Sequence, residues 1–496
     1  MRLLASILTF TVLSCIYAQD NSILWQQSYN DQYNVRFLNS ASDSEGNVIL
    51  VGARQNVSEG VKNEDILVAK LDHGGNRIWE KTFGGSRDEQ ANSVLIDKQN
   101  RIILCGSTNS KDGVFNINKG LQDVFVMILD KNGSLQKLNT YGGSSLDFGE
   151  HIIAITNGHY LLGISSRSMD FPGTENFGQF DVITLELDAN LNAIQANSYG
   201  GWDDEIVKKL LPLPDNTLLI LSSSTTYTNA YSDNRGDQDI VLYNVNQQGH
   251  ILWQKSYGGS LCDNPEDLIL LSDGNILIAA SSVSTDIDIS LNHGSYDGWL
   301  FEIDPDGTLL WSTTYGSSEK DEISAIKKAN SGELIILGTT AKNGTENKTD
   351  FWLFKINEPD LSLQEQRYFG ASGSEQATSL LLTENGSIVM TGNRSNEATN
   401  FEDAKDEGWV LAIRDLKSAS LGITAHPNPT SGMIYFNDCP EDLSISVFNL
   451  NGSQVPLEYD YFPGARIMDF SLLNSGVYLI QFESSGVSET LRIVKQ

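Results

Sequence analysis

Between Trp25 and Leu416 the apolar residues fall in short runs divided by Gly, Asn and Asp turns, and none of these runs has the 3.6-residue period of a helix. Residues 93–96 (Ser-Val-Leu-Ile) predict a first strand, and residues 101–106 predict a second after the polar turn Lys98-Gln99-Asn100. Residues 123–129 predict a third strand, and after the turn Asp130-Lys131-Asn132-Gly133 residues 135–141 predict a fourth. The set ends on an aromatic, followed by glycine at every occurrence but the first, and then it restarts. That aromatic stands at Tyr29, Phe83, Tyr141, Tyr199, Tyr257, Tyr315 and Phe369, in steps of 54, 58, 58, 58, 58 and 54 residues. Four antiparallel strands fill such a period, and a long regular repeat means units that bury one another's faces. The pattern predicts an all-β chain built on a seven-bladed β-propeller.

The ends of the array predict how the ring closes. First, second and third strands occur together seven times, the last set at 379–383, 387–392 and 408–413, with no fourth strand after it. A lone strand at 23–29 precedes the first set and matches fourth strands such as 310–315. We expect it to cross the ring and complete the seventh blade, because a closed ring has no free sheet edge. Over residues 22–416 the repeats resemble the Gly-Gly-Ser type of bacterial β-propeller repeat. That resemblance implies the fold and is silent on activity.

Charge and cysteine content narrow the setting. The formal net charge of −31 argues against nucleic acid or an anionic membrane as partner. Residues 1–18 read as a signal peptide, with Arg2 at the start, an apolar core and Ala18 before Gln19; Val12-Leu13-Ser14-Cys15 loosely resembles a lipobox as the alternative. No later stretch has the roughly 20 apolar residues of a membrane helix. Beyond the signal only Cys105, Cys262 and Cys439 remain, too few and too scattered for a disulfide framework or a metal motif.

Two sets of acids recur in register. Glu89, Asp147, Glu205, Asp263, Asp321 and Glu375 each stand six residues after the repeat aromatic, and the third strands open on Asp65, Asp123, Asp181, Asp239, Asp297, Asp350 and Glu407. Strand alternation places both sets at one face of the ring, where we expect an acidic rim. Such carboxylates accept hydrogen bonds from turn N–H groups; a ring of Ca²⁺ ligands or a seat for a basic partner is the other reading. The same face carries the long loops between second and third strands, whose aromatics Phe115, Phe171, Phe177, Tyr227, Tyr231 and Tyr296 stand among Ser, Thr and Asn. They are candidates for stacking on a sugar or anchoring a protein, or else for pinning the loops to the blades. No Gly-x-Ser-x-Gly elbow, His-Glu-x-x-His or phosphate loop is present, and the 6 His are not paired at ligand spacing, which favours a binding module over an enzyme. A glycan hydrolase or lyase stays open, because acids from different blades converge without a linear motif; so does a purely structural surface protein.

After a linker at 417–422 a second module runs over 423–496. It carries His426-Pro427-Asn428-Pro429-Thr430-Ser431-Gly432, then residues 445–452, then Asn474-Ser475-Gly476-Val477-Tyr478, and a basic end with Lys495. In that order these residues resemble the type A sorting domain of the type IX secretion system. The resemblance implies a small immunoglobulin-like β-sandwich, the secretion machinery as partner, Pro427, Asn428, Pro429, Gly432, Gly476, Val477, Tyr478 and Lys495 as motif residues, and a secreted or cell-surface destination reached through a Gram-negative periplasm.

Overall fold

The structure is a computed structural model that describes the chain apart from residues 1–21, 30–33, 59–60, 227–234, 330–331, 342–347, 358–362, 371–372, 384–385, 396–405, 415–423, 427–429, 438–442, 450–454, 458, 463–464, 485–486 and 496. Seven four-stranded antiparallel sheets follow one another along the chain. Blades 1 to 6 run from Val35 to Phe83, Glu89 to Tyr141, Asp147 to Tyr199, Glu205 to Tyr257, Asp263 to Tyr315 and Asp321 to Phe369. Blade 7 takes three strands from Ser374 to Arg414, and its fourth is Ile23–Tyr29, paired antiparallel with Asp406–Arg414 as the lone strand predicts. Ring closure is sealed where blade 7 meets blade 1. Ser40 Oγ lies 2.8 Å from Ser379 Oγ, the Phe37 N–H donates to Asn393 Oδ1 at 2.8 Å, and Tyr29 packs edge-on against Phe37 at 4.8 Å between ring centroids.

Position in the blade explains the sequence pattern. Second and third strands such as Ile102–Thr108 and Asp123–Leu129 are buried along their whole length, because neighbouring blades cover both of their faces, so they read as continuous apolar runs. Fourth strands such as Leu135–Tyr141 lie at the outside and are largely exposed. First strands such as Glu89–Ile96 alternate buried and half-buried positions and touch the first strands of both neighbours, so the seven of them form the inner wall.

Residues 424–495 form a separate two-sheet sandwich. One sheet orders Thr424–His426, Met433–Asn437, Ala465–Asp469 and Tyr459–Phe462; the other orders Ser444–Asn449, Gly476–Ser484 and Val487–Lys495. Ile434, Phe436, Val447, Met468, Phe470, Ile480, Phe482 and Ile493 fill the space between them. The expected signal peptide and linker lie outside the described residues.

Candidate functional site

The glycine motif builds the joints between blades. In the joint between blades 2 and 3, Asp147 accepts the Gly143 N–H at 2.9 Å and the Ser168 hydroxyl at 2.8 Å, and it also accepts from Ser166. Glu89, Glu205 and Asp263 repeat this with Gly85, Gly201 and Gly259 and a Ser or Thr hydroxyl from the next second strand or its loop. Asp321 accepts the Ser317 N–H and hydroxyl, and Glu375 accepts the Arg394 guanidinium at 2.8 Å. The third-strand acids hold the long loops: Asp123 accepts from Lys119 and Gly120, Asp181 from the Phe177 N–H, Asp239 from Arg235 and Asp297 from His293. Glycine is required where the two acids meet. A Cβ at Gly200 would lie 1.9 Å from Asp181 Oδ1 and 2.9 Å from Glu205 Oε2.

This geometry agrees with the turn-acceptor reading of these acids and corrects their expected place on an exposed rim. Glu89, Asp147, Glu205, Asp263, Asp321 and Glu375 are all buried, with at most 2% of their surface exposed, because each one is a turn acceptor sealed beneath its loop. Among the described residues no group of three or more His, Cys, Asp or Glu side chains is arranged to hold a metal ion. Burial above all, with a neighbouring acid adding to it, pushes the carboxyls of Asp181 and Asp239 up to about 7.

A pH dependence of stability follows. Unfolded aspartates ionise near pH ~4, so between about 4 and 7 the folded chain holds protons that the unfolded chain has lost, and stability falls as the pH rises through that window. His151 works in the opposite direction. Burial and then the Lys209 charge hold it at about 3, so it costs stability only below its ordinary pKa of about 6.5. The melting temperature at pH ~6 is therefore expected to exceed that at pH ~8 by a few degrees, each buried aspartate supplying up to about 1.4 kcal/mol per pH unit below 7. A scanning calorimetry trace with equal or higher stability at the alkaline pH would contradict this.

The loop aromatics separate into two kinds. Phe115 packs on Phe125 in the core and Phe171 is buried in the core of blades 2 and 3, so neither meets a ligand; they pin their loops because a Phe in a serine-rich loop gains most by covering the sheet below. Phe177 is 47% exposed, while Tyr296 is half-buried with the Lys320 ammonium 5.7 Å from its ring. Tyr227 and Tyr231 lie outside the described residues. Sequence reading overlooked the apolar company of Phe177 on this face: Ile117 and Leu121 from blade 2, Met169 from blade 3, Ile287 and Leu291 from blade 5, and Trp202 and Leu261 from the joints are all exposed, Trp202 and Met169 to 74%. Ile287 holds a φ of 60°, a strained value for a β-branched residue, while presenting its side chain to solvent.

The first strands enclose a central cavity of about 390 Å³ that all seven blades line. Every first strand carries a β-bulge at the same place, and the extra residues are Leu38, Asn92, Glu150, Lys208, Glu266, Ser324 and Thr378. A bulge re-aims its side chain out of the ladder, and all seven line the cavity. Here the repeat loses its symmetry. Lys208 pairs with Glu266 at 2.6 Å and, one residue further along, Lys209 pairs with Asp267 at 2.8 Å, whereas blades 1, 2 and 7 offer Asn39, Asn92, Gln376 and Thr378. Among the described residues the hydrogen-bond partner of Glu150 is Asn92 Nδ2 at 3.4 Å, and burial lifts its carboxyl to about 7 against the pull of Lys208. The neutral His151 accepts the Leu210 N–H on Nδ1, which leaves Nε2 to carry the ring proton.

In the terminal sandwich the motif residues meet across the fold. Thr430 bridges to Lys495 in parallel and donates its N–H to Val494 O, Gly432 O accepts the Phe470 N–H, and the Tyr478 hydroxyl donates to Asn474 O. Gly476 and Val477 open the strand that pairs with the final one, while Pro427, Asn428 and Pro429 lie outside the described residues. Residues 424–496 match the secretion system C-terminal sorting domain. The sorting domain marks this chain as type IX secretion cargo, secreted or held at the cell surface. The chain is similar to the regulatory protein FlaEY of Caulobacter vibrioides, 22% identical over 213 residues that cover 38% of this chain and 22% of that protein. The chain thus spans well under a third of that relative's length. Among solved structures it is similar to the Neurospora crassa Pan2 WD40 domain (6% identity, 77% of this chain and 89% of that one, TM-score 0.42). It is also similar to YCF48 bound to D1 peptide (11% identity, 78% and 94%, TM-score 0.43) and to a puromycin hydrolase mutant complexed with PGG (9% identity, 81% and 58%, TM-score 0.47).

Proposed function

We propose that this chain is an exported binding protein whose loop face captures a protein or glycan outside the cell, the sorting domain delivering it there after a signal peptide at 1–18 brings it to the periplasm. The observation that supports this reading is the set of exposed apolar side chains on that face, Ile117, Leu121, Met169, Phe177, Trp202, Ile287 and Leu291, standing on loops clamped by buried carboxylates. Scattered exposed leucines are ordinary, but a concentration of large apolar groups on rigid loops is what a binding surface requires. Screening the mature protein against a glycan array and against cell-surface proteins, with and without Ca²⁺, tests it. Saturable binding is expected, falling at least about tenfold in the Trp202→Ala and Phe177→Ala variants. Binding that neither variant weakens would place the ligand elsewhere.

A second reading has one observation in its favour. Glu150, whose carboxyl burial lifts to about 7, and Glu266, ion-paired to Lys208 and also raised by burial, face one cavity, and a glycan-cleaving enzyme likewise works with two carboxyl groups. Turnover of a bound glycan, lost in the Glu150→Gln variant, would establish the enzyme in place of the binder.

A further inference from the structure

The cavity wall is not charged at random along its depth. At the level of the bulges, where the first strands have just entered from the loop face, stand Glu150, Lys208 and Glu266, with Glu322 two residues nearer the mouth. One to three residues further in stand His151, Lys209, Asp267 and Lys327. Most of these charges are matched locally: Glu266 by Lys208 at 2.6 Å, Asp267 by Lys209 at 2.8 Å, and Glu322 by Lys320 at 2.9 Å. Two are not. Glu150 on blade 3 and Lys327 on blade 6 have no ion-pair partner among the described residues, although both face the cavity.

Their surroundings reinforce this polarity. Glu150 is flanked by Asn92 and by a lysine already committed to Glu266. Lys327 sits near Lys209, whose charge is the chief reason that its own ammonium is held below the usual lysine range; Asp267 pulls the other way but is already ion-paired to Lys209, and His151 beside them is neutral. The outer level therefore has an acid to spare and the inner level a base to spare. An unmatched charge in a confined site is costly, and it is relieved by a ligand of opposite sign.

We propose that the central channel binds a short zwitterionic peptide, its ammonium seated at Glu150 and its carboxylate at Lys327. A single amine or a single anion would match one pole and leave the other uncompensated. Lys327 lies three residues beyond the bulge level of Glu150, which is about 10 Å along the strand direction, and an extended chain of three residues spans about that length. A cavity of about 390 Å³ falls in the range of small-ligand sites and accepts a tripeptide with its water. The amide side chains of Asn39, Asn92 and Gln376 on the uncharged half of the wall suit peptide N–H and C=O groups. This site is distinct from the loop surface, although the channel opens at that face.

Isothermal titration of the full mature protein with triglycine, N-acetyl-triglycine and triglycine amide tests the assignment. Triglycine is expected to bind at one site, and each capped form to bind at least about tenfold more weakly, since each lacks one of the two charges. Glu150→Gln should weaken triglycine by a similar factor and leave N-acetyl-triglycine unchanged; Lys327→Gln should do the same for triglycine amide, so that the paired losses do not add. The capped ligands on the unaltered protein give the answer even where a variant folds poorly. Absence of saturable triglycine binding, or equal affinity for all three compounds, overturns the proposal, as does triglycine affinity unchanged in either variant. Trp202→Ala, on the loop face, should leave triglycine affinity intact, so failure here and failure of the loop-face reading are told apart.

Discussion

Removing residues 424–496 is expected to stop secretion altogether, with the propeller accumulating inside the producing cell. Those residues match a sorting domain from the first strand to the last residue, and their ends are knitted together by the parallel bridge between Thr430 and Lys495. Nothing in the propeller depends on them for closure, since the ring is completed by Ile23–Tyr29. The truncated propeller should therefore fold and be retained. Cell fractionation with immunoblotting of the medium, surface and periplasm checks this: the full chain outside, the truncation inside and resistant to protease. Truncated protein appearing outside the cell in ordinary amount would remove the sorting assignment.

The second large effect is expected on deleting residues 22–29. This strand pairs with Asp406–Arg414 along its length, buries Tyr29 against Phe37, and sends the Trp25 indole N–H to His73 O at 3.0 Å. Deletion uncovers the ladder edge of the last strand and empties the Tyr29 site. Loss of one buried aromatic alone costs about 3–5 kcal/mol, and the unpaired edge adds an aggregation route. The melting temperature should drop by roughly 10 °C or more, with light scattering rising on heating. Tyr29→Ala, which keeps the strand, should lower stability without the scattering. Unchanged melting and solubility in the deletion would mean that the ring does not rely on this strand.

The legibility of the chain differed by layer. The middle strands of each blade read clearly because both of their faces are covered: Asp123–Leu129 is buried throughout and appears in the sequence as one apolar run. The first strand was only half visible. The pattern predicts it at 93–96, whereas it begins at Glu89, four residues earlier, because its opening half, Glu89-Gln90-Ala91-Asn92, is mostly polar: Glu89 is a buried turn acceptor and Asn92 lines the channel. Polar residues facing a cavity look like a loop when only hydrophobicity is read. The bulge residue was the missed signal. It stands nine residues after each repeat aromatic, and it is Leu, Asn, Glu, Lys, Glu, Ser and Thr in turn, the place where a regular repeat stops repeating. The acids in register were legible as positions and as turn acceptors, but not as buried groups, since spacing says where a carboxylate recurs and not whether a loop folds over it.

Sequence alone determined the period, the number of blades, the strand that closes the ring and the sorting domain at the end, because each is written in local spacing or in a contiguous motif. Tertiary structure alone decided which side chains face one another. Glu150, Lys208, Glu266 and Lys327 come from four blades and share one cavity only because the ring closes, and Phe115 and Phe171 leave the candidate surface only because their loops fold down onto the sheets. The physical reason is that burial and charge pairing depend on distances through space, which a repeat of 58 residues sets equal in sequence and then fills differently in each blade.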